Sequence, residues 1–185
     1  AGIGNMFFNT NMMYMHEDAK YIDIMETSFY NNVLGSMDLN CNNFYYTNPL
    51  DQSNSRYSWH VCPCCVHNIA RTWLSLPRWM YAKSSNTLYV NLFIGSTVNV
   101  GNVAGTNVSV TQSTDYPWSG NVTITVNPST PTNFTIKIRS PKRSVSTIYS
   151  STPSSDGINS LTLNGNGQST SATNGYVSIT RTWSA

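Results

Sequence analysis

The sequence predicts an α+β chain in which helices come first and an antiparallel β-sandwich follows. Three observations carry this expectation. The apolar period is near 3.6 up to Lys83 and close to 2 beyond it. Six of the eight acidic residues (Glu17, Asp18, Asp23, Glu26, Asp38, Asp51) lie in the first 51 positions, and none follows until Asp115. Turn clusters such as Pro117-Trp-Ser-Gly120 and Asn127-Pro-Ser-Thr-Pro131 separate the later apolar runs at strand-like spacing. The division expected is a helical segment over 1–83 and a β-sandwich over 84–185.

Each element has its own signal. Residues 3–15, with Ile3, Met6, Phe7, Met13 and Tyr14, read as the end of a helix. From Asp18 to Leu34 apolar residues recur at Tyr21, Ile22, Met25, Phe29, Val33 and Leu34, the stripe of an amphipathic helix, and Gly35 fits its C-terminal stop. A third helix is expected from about Cys65 to Leu76, with Ile69, Ala70, Trp73 and Leu74 on one side and Pro77 ending it. The alternating runs Leu88–Ile94, Val108–Val110, Val122–Val126, Phe134–Ile138 and Val177–Ile179 then read as strands of a sandwich with one wet face. Residues 150–157, rich in Ser and Pro, read as a loop. The methionines of the helical part are expected to pack between helices, with some of that surface facing chain or a subunit beyond this one.

Composition excludes several functions. Only 10% of the 185 residues are charged and the net charge is +2, which argues against duplex DNA or an anionic membrane surface as the main partner. No apolar run approaches the ~18–20 residues of a membrane-spanning helix. Polarity comes instead from 23 Asn, 25 Ser and 21 Thr, and this uncharged surface suits an extracellular or exported protein. Three N-x-[ST] sequons, at Asn107, Asn121 and Asn133, agree with that expectation as glycosylation sites. The start Ala1-Gly-Ile-Gly, without Met, reads as a chain processed or cut from something longer.

Cysteine usage is the sharpest signal. Cys62-Pro-Cys64-Cys65 stands directly before the third helix, and Cys41 lies 21 residues ahead of Cys62. Three thiols within four residues cannot all pair with one another, so a simple disulfide framework accounts for them poorly. Thiolates of one short loop can supply part of a tetrahedral zinc site, and the start of a helix favours the thiolate form. By spacing alone three readings stand open: a closed structural zinc site, a disulfide such as Cys41–Cys62 beside buried thiols, and catalysis. His60 and His67 flank the cluster and could complete a metal site. Glu17 and Glu26 do not make a glycosidase acid/base pair, since their spacing of nine does not bring them to one helix face. Trp59, Trp73, Trp79 and Trp118 could stack on sugar rings, but core packing is the expectation for most of them.

The string Trp59-His-Val-Cys-Pro-Cys-Cys-Val-His-Asn-Ile-Ala-Arg71 resembles the C-x-C-C-P-P-N-I-A-R signature of glycoside hydrolase family 127, the β-L-arabinofuranosidase family. Glu26-x-x-x-Tyr30-Asn-x-Val-Leu34, Phe44-Tyr-Tyr-Thr-Asn-Pro-Leu50, Thr87-Leu-Tyr-Val-Asn-Leu-Phe-Ile94, Thr114-Asp-Tyr-Pro-Trp118 and Gly175-Tyr-x-x-Ile-x-Arg-x-Trp183 extend the resemblance in order along the chain. It implies the C-terminal helices of an (α/α)6 barrel followed by the β-sandwich. It also implies a Zn²⁺ cofactor and a retaining hydrolysis in which a zinc-bound cysteine attacks the anomeric carbon. On this resemblance Cys64 is the nucleophile, Cys64 and Cys65 are metal ligands with Cys62 beside them, and Tyr46 lines the sugar pocket.

Two departures qualify what this chain does alone. The family's other zinc ligands, in an E-x-C motif, and its general-acid Glu precede the segment that matches Ala1–Asn5, and Val66-His67 stands where the family has Pro-Pro. The expectation is a portion of a glycoside hydrolase whose partner is an arabinofuranoside-containing glycan, inactive by itself and needing an upstream barrel segment or another subunit. The alternative is a non-catalytic extracellular glycoprotein, structural or carbohydrate-binding, that reuses the fold.

Overall fold

The computed structural model describes residues 2–47, 64–142 and 157–185. It has the α+β architecture expected, in three layers: helices, a four-stranded sheet and a three-stranded sheet. The helical layer comprises α1 (Gly2–His16), α2 (Lys20–Ser28) and α3 (His67–Met80). Met6, Met13, Ile22, Met25 and Phe29 are buried where α1 packs on α2, so most of the helical methionines do fill core. Met15 is exposed.

The ends of two helices differ from expectation. Gly35 does not stop α2: the chain continues through a π turn (Phe29–Val33) and a 3-10 turn (Leu34–Ser36), and the run ends where Met37 turns extended. Pro77 does not end α3, which runs on to Met80. A proline costs the helix one N–H bond, but the last turn carries Trp79 and Met80 into the core, and Trp79 meets Phe7 edge-on with ring centroids 5.0 Å apart. Tertiary burial outweighs the local penalty.

The first sheet has the order β1 (Tyr81–Lys83), β2 (Thr87–Val90), β6 (Thr132–Arg139), β9 (Tyr176–Trp183); the second has β3 (Ser96–Val103), β4 (Thr106–Thr114), β5 (Val122–Pro128). A hairpin of β7 (Thr162–Leu163) and β8 (Asn166–Gly167) stands apart. Pairing is antiparallel except between β2 and β6, which run parallel with Leu88 opposite Ile136 and Val90 opposite Ile138. The chain leaves the first sheet after β2, builds the second, and returns beside β2 in the same direction. Because β1 follows α3 directly, the sheet begins three residues before the expected junction at residue 84.

The second sheet has the wet face expected. On β5, Thr123, Thr125 and Asn127 are exposed while Val122, Ile124 and Val126 pack inward. In the first sheet the helices cover β2, so all four of its residues are buried, whereas the β9 edge alternates Val177 and Ile179 with exposed Ser178 and Thr180. Leu88, Val90, Phe134 and Ile136 face the second sheet's Val108 and Val110 as one apolar core. The opposite face of the sheet carries Tyr89, Lys137 and Arg139 toward the helices. At this interlayer seam Gly175, at φ +73, lets the chain pass so close to α2 that an added Cβ would stand 2.5 Å from the Ala19 Cβ. The Ala19 N–H donates to the Asn174 carbonyl at 2.9 Å there.

Candidate active site

The site is assembled where the start of α3 meets the chain that follows α2. Residues 64–66 form a turn into α3, whose first bonds run from the Asn68 N–H to the Cys65 carbonyl (3.1 Å) and from the Ile69 N–H to the Val66 carbonyl (2.9 Å). Ile69 and Thr72 are buried, which holds this end of α3 in the layer. Cys64 and Cys65 stay exposed at its tip.

The second part is a tight hairpin over residues 37–44. Met37 and Phe44 form a β-bridge, and the Asp38 N–H donates to the Asn43 carbonyl at 3.1 Å. Inside the turn the Asp38 carboxylate accepts the N–H groups of Asn42 (2.8 Å) and Asn43 (3.2 Å) and the Asn43 side-chain amide (2.8 Å). These bonds, the Asn43 amide foremost, hold the Asp38 carboxyl below its ordinary pKa. The Trp73 indole donates to the Met37 sulfur at 2.9 Å, tying the hairpin to the side of α3.

Two residues beyond the hairpin, Tyr46 meets the cysteines. Its hydroxyl lies 3.7 Å from the Cys64 Sγ and 3.6 Å from the Cys65 Sγ, and the two sulfurs are 3.6 Å apart. The two thiols, Cys65 foremost, push the Tyr46 phenol above its ordinary pKa, so it stays protonated and available as a donor. Three of the residues singled out from the sequence are thus brought together. Cys62, His60 and Trp59 lie outside the described residues. Cys41 is exposed at the hairpin tip with φ +57, and Cys41, Cys64 and Cys65 are all free. Asn107, Asn121 and Asn133 are exposed, and Trp118 is 92% exposed where core packing was the expectation for most tryptophans.

The donor set suits a thiophilic metal as far as it goes. Two thiolates on one tetrahedral zinc stand roughly 3.8 Å apart, given Zn–S bonds of ~2.3 Å, and the observed separation is 3.6 Å. Among the described residues no group of three or more His, Cys, Asp or Glu gathers, so further ligands would have to come from elsewhere.

The carboxylates of the helical layer are engaged in other work. Arg139, fully buried, donates from Nη1 to Asp23 and from Nη2 to Glu26, both at 2.6 Å, and from Nε to the Asn91 carbonyl at 2.5 Å. Glu17 accepts the Tyr89 hydroxyl at 2.5 Å and lies 3.6 Å from the Lys137 Nζ. Sequence reasoning set Glu17 and Glu26 aside as an acid/base pair but missed these partners. The signal was present: acids crowd the helices, while Lys137 and Arg139 stand on the strand face opposite Phe134, Ile136 and Ile138. Beside this network an open groove of about 1220 Å³ lies between α2, α3 and the 115–118 turn, lined mainly by apolar side chains such as Phe29, Leu34, Trp73, Leu76 and Trp118.

A helical layer backed by a β-sandwich is an architecture shared with a class of glycoside hydrolases. The β-L-arabinofuranosidase GH127 catalytic-domain model matches residues 1–78, and the GH127 middle-domain model matches residues 87–185. The chain belongs to glycoside hydrolase family 127. It is 26% identical over 141 residues to the non-reducing end β-L-arabinofuranosidase of Bifidobacterium longum subsp. longum, a match covering 68% of this chain and 21% of that protein. Among solved structures, a GH127 β-L-arabinofuranosidase from Geobacillus stearothermophilus T6 superposes with a TM-score of 0.82 at 30% identity, covering 98% of this chain and 29% of that one. A second GH127 β-arabinofuranosidase gives a TM-score of 0.83 at 30% identity, with 99% and 30% covered. The chain therefore spans less than a third of the length of these relatives.

Proposed function

We propose that this chain carries the nucleophile-bearing portion of a retaining glycosidase acting on β-L-arabinofuranosides. The observation that supports the reading best is the convergence of Tyr46 on the adjacent thiols of Cys64 and Cys65 at the start of α3. In this reading the Cys64 Sγ attacks the anomeric carbon as the glycosidic C–O bond breaks. The leaving oxygen takes a proton from an acid, and water then displaces the sulfur to give the sugar with retained configuration. Zinc bound by Cys64 and Cys65, with Cys62 nearby, would keep the thiol ionised near neutral pH. Tyr46, protonated and beside both sulfurs, orients the sugar or the sulfur by donating its O–H.

The acid is not among the carboxylates whose partners were just described. Asp23 and Glu26 hold Arg139, and Glu17 holds Tyr89. We place the acid in a further segment or subunit. The 185-residue chain is accordingly expected to show no turnover on an aryl β-L-arabinofuranoside. A longer protein that includes it should be active and should lose that activity on Cys64→Ser. Activity that survives Cys64→Ser would remove the cysteine nucleophile. A longer protein with no activity on any furanoside would favour the non-catalytic, carbohydrate-binding reading.

A further inference from the structure

We propose that Asp38 is a positioning residue that sets the height of Tyr46 against Cys64 and Cys65 by capping the 37–44 hairpin. The inference rests on the reading of that cysteine pair as the reacting site. Its geometry starts at Trp73, eight and nine positions after the cysteines, a stretch of about 12 Å at helical rise. There the indole grips Met37, which fixes one end of the hairpin at a known level on α3. Met37 is paired with Phe44, and Tyr46 stands two residues further on, about 7 Å along an extended chain. The length of the tyrosine side chain covers most of what remains.

This delivery works only while the turn is closed. Met37 and Tyr46 are nine positions apart, and released from the turn that stretch of chain could extend to about 30 Å, leaving the phenol no defined level. Backbone bonds pair the arms of the turn, from the Asp38 N–H to the Asn43 carbonyl and from the Tyr45 N–H to the Ser36 carbonyl, and the one carboxylate inside it fixes its tip: one Asp38 oxygen accepts two backbone N–H groups, and the other accepts the Asn43 amide. Asp38 touches neither cysteine, so its effect passes through Tyr46.

The test uses the 185-residue chain with 3-fluorotyrosine at position 46 alone, followed by fluorine NMR. Its resonance is expected away from the free amino-acid position and to move on Cys64→Ser, which reports the contact with sulfur. Asp38→Ala should return it to the free position while the sandwich's methyl resonances stay dispersed. Asp38→Asn should keep most of the displacement, because the amide oxygen still accepts both backbone N–H groups. An unmoved resonance in Asp38→Ala overturns the positioning role alone. An unmoved resonance in Cys64→Ser overturns the contact and the positioning role together. Loss in Asp38→Asn as complete as in Asp38→Ala would also count against the capping account.

Discussion

Gly175 shows how much a single residue can decide in this protein. Its φ of +73 lies in the left-handed region, and an added Cβ would meet the Ala19 Cβ at 2.5 Å, with Ala19 itself wholly buried. Gly105 has a comparable φ of +89 but open space around it. The pair separates backbone strain from steric conflict. Gly105→Ala is expected to cost about 1 kcal/mol, the conformational term alone. Gly175→Ala should cost at least about 2 kcal/mol more, as overpacking does in a closed interior. Urea unfolding of the two variants measures the difference, and equal losses would mean that α2 yields without cost. Gly175 stands in a stretch resembling the family's own pattern, yet nothing in the string Gly175-Tyr-x-x-Ile says which element it must clear.

At the level of elements, the 37–44 hairpin has a pH dependence that follows from its one acid. Asp38 is held below its ordinary pKa by the groups it accepts from, so folding favours its ionised form. The sign follows directly. The contribution is fully present above the ordinary carboxylate range and is lost as the pH falls through that range toward the depressed value. The protection factors at Asn42 and Asn43, taken against the intrinsic exchange rate at each pH, should therefore hold at neutral pH and fall in acid, ahead of those of the sandwich amides. Protection at these two positions that persists to the acid limit would show the backbone bonds hold the turn without the carboxylate. The helices teach a related lesson. The apolar stripe of α2 was legible because a repeating pattern is local, but the ends of α2 and α3 were not. Gly35 and Pro77 are only local stop signals. The packing of Trp79 and Met80 into the core carried α3 past Pro77, whereas the turn through Gly35 buries no residue of its own.

For the whole molecule, the joint between helices and sandwich is polar at its centre. Arg139 is fully buried on the sheet, with Asp23 and Glu26 reaching to it from α2. Burial acts to lower its pKa, but the carboxylates of Glu26 and Asp23 outweigh that and hold the guanidinium above its ordinary value. Around it, burial pushes the phenols of Tyr89 and Tyr176 up, so both remain donors, to Glu17 and to the Asn91 side chain. Removing Arg139 leaves two carboxylates at this joint without their counter-charge. Arg139→Met is expected to destabilise the chain by about 3–5 kcal/mol, whereas replacing all three charges by apolar residues of similar volume should recover most of the loss. Chemical denaturation with two probes, tryptophan fluorescence and far-UV dichroism, checks this. A loss below about 1 kcal/mol for Arg139→Met would mean that the layers are joined mainly by apolar contact.

By itself the sequence determined the order of the layers, the strands with alternating apolar residues, and the three residues that make the candidate site. These rest on periodicity, on a cysteine cluster and on motifs, all of which are short-range along the chain. The family resemblance carried Tyr46 and Cys64 to one site although 18 positions separate them, and the structure sets them 3.7 Å apart. Only the tertiary structure decided that β2 is buried on both faces, that β2 and β6 run parallel, that Arg139 joins the layers, and that Asp38 closes the turn behind Tyr46. Each of these depends on which surface comes to lie against which. A charged residue on a strand looks solvated until another layer covers it, and the acids that then neutralise it lie more than 100 positions away.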